Sequence, residues 1–171
     1  MKTFKSRIQE IARVNLLEAI NFNDMADKWH GGMTGSMSYE QALKWLKSDK
    51  ALSKSSGKVA EGVYSWWHKT EEFCAVVGES GNILRRMIEY KDSFMRGKGY
   101  ISKNGNTKGV SVAYKMKKHD PDFSNWVLKI RIIPISNREI RQRVEAEYES
   151  HLRPRFNNPK MLRKSKVKAL A

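Results

Sequence analysis

The spacing of apolar and polar residues changes in character near residue 56. Before this point, apolar residues such as Ile8 and Ile11 recur three or four residues apart, as on one face of a helix. Ser38 and Gln41 have the spacing of a capping box, in which each side chain caps the backbone of the other residue at the start of a helix. Residues 1–56 are therefore predicted to form an N-terminal helical arm.

After this arm, residues that favour β-strands predominate. The stretches "KVAEGVYSWWHK" and "EEFCAVV" are β-branched and aromatic, and they lie close enough in sequence to pair as a hairpin. A helix follows the glycine turn in "GESGNILRRMIEY", and the alternating stretch "NWVLKIRIIPI" predicts a third strand. The predicted fold class is α+β, with a small three-stranded mixed or antiparallel sheet flanked by helices and preceded by the helical arm.

Turn and cap signals predict the remaining segments. Residues 91–109 are rich in Gly, Lys and Asn and predict an exposed basic loop. Ser136 and Glu139 have the spacing of a second capping box, which predicts the start of the last helix. We therefore divide the chain into the arm, a core at 57–158 and a basic C-terminal tail at 159–171.

The charge of the chain points to a polyanionic partner. Lys and Arg total 33 against 18 Asp and Glu, which gives a formal net charge of +15. Such a field attracts nucleic acid, because basic side chains release the counterions condensed on its phosphates. No apolar run approaches the ~20 residues of a membrane helix, no signal-peptide pattern is present, and the single Cys74 excludes an intramolecular disulfide. We expect a cytoplasmic protein that binds nucleic acid and no membrane.

Four short motifs, taken in order, carry a resemblance to a known family. They are "GVY" at 62–64, "VVG" ending at Gly78, Arg86 eight residues past that glycine, and Glu145 twelve residues before Asn157 in "EAEYESHLRPRFN". In this order and spacing the stretch 58–157 resembles the GIY-YIG nuclease superfamily, and its last helix is similar to that of the bacterial excision-repair member. The resemblance implies a metal-dependent endonuclease that hydrolyses the phosphodiester bonds of DNA.

The resemblance assigns Tyr64, Arg86, Tyr90 and Glu145 as catalytic residues, and the chemistry of these residue types suits such a reaction. Tyr64 can orient or deprotonate the attacking water, and Arg86 can grip the phosphate and stabilise its growing negative charge. Glu145 offers a hard oxygen ligand, which suits Mg²⁺ or another divalent cation such as Mn²⁺. Arg86 and Tyr90 are four residues apart and share one face of their helix.

Other residues have supporting roles in this hypothesis. Gly62 and Gly78 allow a close approach of the backbone near the site, and the Asn157 amide can tie the end of the last helix to the sheet. His68, four residues beyond Tyr64, would point to the same face of a regular strand and is a candidate assisting base, the alternative being a satisfied surface histidine. The basic residues expected to contact nucleic acid are Arg85, Lys91, Arg96, Lys98, Lys103, Lys108, Arg153 and Arg155.

Two departures from the family pattern keep other functions open. Val76 stands where the second motif has a tyrosine, and Glu79 stands where the excision-repair member has a lysine. These changes leave open which group accepts the proton from Tyr64 or from the water. The alternatives are therefore a catalytically impaired nucleic-acid-binding protein of the same fold and a structure-specific or RNA-directed nuclease. The short chain favours a stand-alone enzyme of the restriction type, or of the phage or mobile-element (homing) type, in which the arm forms a homodimer or embraces DNA.

Overall fold

The computed structural model describes residues 32–55, 57–97, 100–101, 107–133 and 137–157. Most of the predicted arm, at 1–31, lies outside the described residues, as do Ser136 and the basic tail at 159–171. In chain order the helices are α1 (Tyr39–Leu46), α2 (Asp49–Leu52), α3 (Ile83–Arg96), α4 (Ser111–His119) and α5 (Arg138–Leu152). The strands are β1 (Gly62–His68), β2 (Cys74–Ser80), β3 (Tyr100–Ile101), β4 (Thr107–Lys108) and β5 (Trp126–Ile132). None of these helices is long and apolar enough to cross a membrane.

Three strands form the central sheet in the order β2-β1-β5, and both neighbouring pairs are antiparallel. Tyr64 on β1 lies opposite Gly78 on β2 and opposite Ile130 on β5. The short connection between β1 and β2 requires an antiparallel pair. The predicted hairpin, the third strand and the α+β class with a small sheet flanked by helices are confirmed.

Side chains that alternate along the strands fill a core on each face of the sheet. On one face, Tyr64 and Trp66 pack with buried residues of α1, α3 and α4. On the other face, Val63 and Val77 pack with Ile140 and further buried residues of α5. The sheet therefore lies between two layers of helices, and β1 contributes side chains to both cores.

The described part of the predicted arm belongs to the first of these cores. Tyr39, Ala42 and Leu46 of α1 are buried in the cluster that contains the β1 residues. The predicted capping box of Ser38 and Gln41 is present at the start of this helix, with both hydrogen bonds made. The division of the chain near residue 56 stays a prediction, but α1 itself packs on the sheet.

Extended chain covers both outer edges of the sheet. The backbone of Met37 exchanges two hydrogen bonds of 2.8 Å with Leu128 on β5. After α5, the backbone N–H groups of Arg155 and Phe156 donate to carbonyl oxygens of β2, and the bond from Phe156 to Ala75 is 2.8 Å long. These contacts satisfy edge groups that would otherwise offer a template for another strand. They also fix the segment that follows α5 beside β2.

The predicted loop at 91–109 is wrong for its first part, because α3 continues to Arg96. Phe94 continues the helical spacing of the apolar residues and is 1% exposed. Its burial stabilises the last turn of α3, although the residues around it are polar. Gly97 then caps the helix in the left-handed conformation, with φ at 71°. Farther along the segment, β3 and β4 pair as antiparallel strands.

The start of α5 also differs from the prediction. Asn137, rather than Ser136, is the N-cap residue, and its side-chain oxygen accepts hydrogen bonds from the backbone N–H groups of Glu139 and Ile140. Asparagine caps a helix as well as serine does, so Asn137 can take the role predicted for Ser136.

Candidate functional site

Two of the predicted catalytic residues, Tyr64 and Arg86, are in direct contact. The Nε atom of Arg86 donates a hydrogen bond to the Tyr64 hydroxyl at 3.3 Å. Asn82 caps the start of α3, and the fully buried Ile83 and Met87 hold this helix on the sheet. Because the apolar face of α3 is fixed in this way, its register directs Arg86 toward β1.

Tyr90 and Glu89 complete the surroundings of the Arg86 side chain. The Tyr64 and Tyr90 hydroxyl groups are 3.5 Å apart, and the Arg86 guanidinium lies 5.5 Å from the centre of the Tyr90 ring. An Nη atom of Arg86 donates to the Glu89 carboxylate at 3.0 Å. Glu89 was not among the predicted site residues. Its position three residues after Arg86 could have indicated it, because residues three apart on a helix are neighbours. A phosphate that binds Arg86 has to compete with this carboxylate.

Burial dominates the electrostatics of the two tyrosines. Tyr64 and Tyr90 are each 2% exposed, whereas 39% of the Arg86 side chain is exposed. Burial raises the pKa of Tyr64, while the charge of Arg86 and a hydrogen bond with Tyr90 oppose the rise. Burial also raises the pKa of Tyr90 well above its usual value, and the charge of Tyr64 adds to that rise. Tyr64 is therefore the hydroxyl better placed to lose a proton, and Arg86 is the group that reaches solvent.

Gly62 and Gly78 lie so close to neighbouring atoms that a side chain at either position would overlap them. A Cβ atom on Gly78 would overlap the Tyr64 hydroxyl group, so the tyrosine lies directly against the bare backbone of β2. A Cβ atom on Gly62 would overlap the backbone oxygen of Arg131 on β5. Gly78 therefore shapes the site directly, and Gly62 allows β1 to approach its other neighbour.

Glu145 lies on α5, and Asn157 lies in the segment that follows α5 along β2. Burial is the largest cause of the raised pKa of Tyr64 and of Tyr90, and the negative charge of Glu145 adds to both rises. The Asn157 side chain accepts a hydrogen bond from the N–H of Val77 at 3.2 Å and donates one to its carbonyl oxygen at 3.0 Å. Asn157 thus joins the end of the core to β2, on the strand that also carries Gly78.

Glu145 is the carboxylate to which the resemblance assigns a divalent cation. In the described part of the chain, no group of three or more His, Cys, Asp or Glu side chains lies together in a way that could hold a metal ion. A single carboxylate fits Mg²⁺, which proteins commonly bind through one or two carboxylates together with waters and substrate phosphates. It does not fit a metal such as zinc, which takes three or four protein ligands.

Glu79 and Val76, the two departures from the family pattern, both have structural partners. The Glu79 carboxylate accepts a hydrogen bond from Arg141 Nε at 2.9 Å, and Glu61 accepts one from Arg141 Nη at 3.1 Å. Arg141 is 9% exposed, so the two carboxylates balance a buried charge and hold α5 against the sheet. Val76 is 4% exposed and packs in the same core as Tyr64.

Replacing Arg141 with Met should lower the free energy of unfolding by about 3–5 kcal/mol, because it leaves two poorly solvated carboxylates without their cation. Arg138→Met is a matched control, since Arg138 also pairs with Glu79, at 3.7 Å, but its side chain is 75% exposed. We expect this control to lose less than about 1 kcal/mol. Urea unfolding of the two variants measures the difference, and equal losses would contradict the structural role given to Arg141.

His68 lies toward the end of β1 and has partners of its own. Its Nε2 atom is 2.7 Å from a carboxylate oxygen of Asp120, and its Nδ1 atom accepts a hydrogen bond from the backbone N–H of Glu71 at 3.1 Å. The hydrogen bond with His68 lowers the pKa of Asp120 to about 2, so this carboxylate stays ionised and holds the ring. Four residues of strand separate His68 from Tyr64 by about 13 Å. The structure therefore does not bring His68 to the tyrosine as an assisting base.

Three of the predicted nucleic-acid contacts lie on α3. Arg85 is 73% exposed, Arg96 is exposed, and the Lys91 ammonium lies over the Tyr39 ring at 4.7 Å from its centre. A cleft of ≈ 260 Å³ opens beside this helix and is lined by Arg86, Glu89, Asp92, Ser93, Arg96, Gly109 and Val110. The exposed face of the Arg86 side chain therefore borders a space that a phosphate group can enter.

The other predicted contacts are more scattered. Arg153 and Arg155 are exposed beyond α5, and the Arg155 guanidinium lies 3.9 Å from the centre of the Phe73 ring. Lys98 and Lys103 lie outside the described residues, as does the side chain of Lys108. The predicted nucleic-acid contacts whose side chains the structure describes therefore lie on α3 and in the segment after α5.

Comparisons with protein-family models, with curated proteins and with solved structures gave no match to the chain.

Proposed function

We propose that the protein is a metal-dependent endonuclease that hydrolyses DNA phosphodiester bonds, as the resemblance to the GIY-YIG nucleases implies. The observation that supports this most is the contact between Arg86 Nε and the Tyr64 hydroxyl at 3.3 Å, beside Gly78. A guanidinium that binds phosphate and a phenol that can handle a proton are held together next to a cleft. The net charge of +15 supports DNA as the substrate.

In the proposed reaction, a water oxygen forms a bond to phosphorus while one P–O bond of the DNA backbone breaks. Arg86 binds the phosphate oxygens and stabilises the negative charge that grows on them. Tyr64, in its deprotonated form, accepts the proton from the water, and the leaving oxygen takes a proton from solvent. Glu145 would hold Mg²⁺ or Mn²⁺, whose chemistry when bound is to bear the charge that develops on the leaving oxygen.

The cleavage rate should rise with pH, because burial raises the pKa of Tyr64 and keeps it largely protonated near neutral pH. Below that pKa the phenolate fraction grows about tenfold per pH unit, so the logarithm of the single-turnover rate should climb with a slope near one between about pH 6 and 9. Tyr64→Phe keeps the ring but removes the proton acceptor, and it should lose both the slope and most of the rate. A flat wild-type profile would contradict the role of Tyr64.

DNA binding should weaken steeply with salt, because contacts to phosphates dominate the affinity of a chain with a net charge of +15. If about six phosphates are neutralised, the affinity for a duplex of arbitrary sequence should fall by ~10³ between about 50 and 200 mM salt. Fluorescence anisotropy of a labelled duplex in EDTA measures this response without cleavage. An affinity that hardly changes over this range would contradict nucleic acid as the partner.

A second candidate function is a nucleic-acid-binding protein of the same fold that does not cleave. The burial of the Tyr64 side chain, which is 2% exposed, favours it, and so does the Glu89 carboxylate that occupies Arg86 at 3.0 Å. In such a protein the exposed arginines of α3 would bind phosphates, and the raised pKa of Tyr64, due to its burial, would leave no proton acceptor at neutral pH.

For its biological setting, we propose a cytoplasmic enzyme of the restriction type, or of the phage or mobile-element type. The support is the resemblance of the stretch at 58–157 to the GIY-YIG nucleases. A homodimer formed through the arm belongs to the same proposal. Size-exclusion chromatography with light scattering, with and without duplex DNA, tests the dimer.

The substrate is tested by incubating the purified chain with plasmid, single-stranded DNA, RNA and branched DNA, each with Mg²⁺ or with EDTA. The proposal expects cleavage of the plasmid with Mg²⁺, and a discrete banding pattern would indicate a sequence-specific enzyme. Preferential cleavage of RNA or of the branched substrate would favour the RNA-directed or structure-specific alternative. Binding of all substrates without cleavage of any would favour the second candidate.

A further inference from the structure

A second groove, separate from the pair of Tyr64 and Arg86, opens at the C-terminal end of β1. Its volume is ≈ 660 Å³, and hydroxyl, amide and ammonium groups make up much of its lining. The lining includes Ser36, Ser38, Gln41, Trp67, Lys69 and Lys129. The groove is therefore bounded by the edge of the sheet and by the start of α1.

Trp67 gives this groove an aromatic surface. Its neighbour Trp66 is fully buried, whereas Trp67 points to the other side of the strand and is partly exposed. The indole N–H of Trp67 donates to the Ser65 hydroxyl at 2.8 Å, which fixes the orientation of the ring. The Lys129 ammonium lies over that ring, 4.4 Å from its centre. The groove therefore has the Trp67 ring, held in a fixed orientation, next to the Lys129 ammonium.

The lysines of the groove favour an anion, and the Trp67 ring favours a ligand that also carries a flat ring. Lys69 is exposed, Lys129 is partly exposed, and Glu72 is the one acid among the described residues that line the groove. Bases stack on tryptophan whatever their sequence, and the phosphates that join them bind lysine. A base inside a duplex is already stacked between its neighbours, so only an unpaired base can offer its face to Trp67.

We propose that this groove binds an unpaired nucleotide of the nucleic acid. The base stacks on Trp67 in place of the Lys129 ammonium, which moves off the ring and holds an adjacent phosphate together with Lys69. The proposal rests on the proposed function for the class of ligand, nucleic acid, and it does not depend on cleavage. The groove would give the protein a preference for DNA with a single-stranded or flipped-out base, in addition to the affinity that all phosphates provide.

The test compares two labelled DNAs, a fully paired duplex and the same duplex with one bulged base, both bound in EDTA so that nothing is cleaved. Wild-type protein should bind the bulged duplex more tightly. Trp67→Ala should weaken binding of the bulged duplex by about 5–100-fold and binding of the paired duplex by less than about twofold. Trp67→Phe should retain most of the preference, because a phenyl ring still stacks. If Trp67→Ala binds the two DNAs with unchanged relative affinity, the proposal is overturned.

Lys129→Gln, with Lys50→Gln as its control, keeps the test decisive if Trp67→Ala does not fold. Lys50 is an exposed lysine of α2 outside the groove, so its loss should weaken both DNAs equally. Lys129→Gln should weaken the bulged duplex more than the paired one, and equal weakening would count against the groove. If the preference for the bulge depends on Trp67 but no DNA is cleaved in Mg²⁺, only the nuclease proposal fails. If DNA is cleaved but the preference is absent, only the groove proposal fails.

Discussion

Replacing Arg86 with Ala should lower the single-turnover cleavage rate at saturating protein by ~10² or more. The reason is that, in the proposed reaction, the Arg86 side chain stabilises the charge on the phosphate. This side chain is 39% exposed and contacts the Tyr64 hydroxyl. Arg86→Lys should recover little of the rate, because an ammonium cannot reproduce the planar, two-pronged contact of a guanidinium. Quenched-flow or gel-based single-turnover assays with a labelled duplex measure these rates.

Arg85→Ala is the matched control for this prediction. Arg85 is adjacent in sequence, but its side chain is 73% exposed and pairs with Glu89 at 3.7 Å. Loss of Arg85 should reduce affinity, mainly at high salt, and raising the protein concentration should restore the rate. If Arg85→Ala abolishes cleavage while Arg86→Ala leaves it intact, the active site has been placed on the wrong face of α3.

Replacing Glu145 with Ala should also reduce cleavage by ~10² or more, while DNA binding stays nearly unchanged or becomes stronger. The reason is that Glu145 is the carboxylate whose charge reaches both tyrosine hydroxyls, and it would hold the divalent cation. Its removal also makes the net charge of the chain more positive, which favours binding of phosphates. Cleavage rates and anisotropy titrations on the same duplex measure the two effects.

Glu139→Ala, in the first turn of the same helix, controls for the loss of a carboxylate on α5. It should change neither cleavage nor affinity by more than about twofold. Full activity of Glu145→Ala would exclude Glu145 as the metal ligand. Equal loss of activity in both variants would show that the effect comes from the stability of the helix.

The parts of the site that sequence could predict are those set by local spacing. Arg86 and Tyr90, four residues apart on one helix, do share a face, and both contact the Tyr64 side chain. The apolar residues of α3 determine which face of the helix is buried. The helical spacing therefore predicts that Arg86 lies nearer the sheet than Arg85, which is the more exposed of the two. The pairing of β1 with β2 was likewise predictable from the β-branched runs and the short connection between them.

Contacts between residues distant in the chain could not be predicted in this way. Arg141 lies 62 and 80 residues from its partners Glu79 and Glu61, and no periodic pattern joins them. The end of α3 was misplaced because the Gly- and Lys-rich composition after Tyr90 suggests a loop, whereas the burial of Phe94 favours helix and prevails. The depth of Tyr64 and its raised pKa, due to burial, are likewise results of three-dimensional packing.

The active site proposed around Tyr64, Arg86 and Glu145 is tested most directly by mixing the purified chain with supercoiled plasmid and adding Mg²⁺. Loss of the supercoiled form is followed over time for the wild-type protein and for Arg86→Ala prepared in parallel. We predict that the wild-type protein nicks or linearises the plasmid, that EDTA stops the reaction, and that Arg86→Ala is slower by ~10² or more. An intact plasmid under conditions in which the protein binds it, or equal cleavage by Arg86→Ala, would contradict the proposed active site.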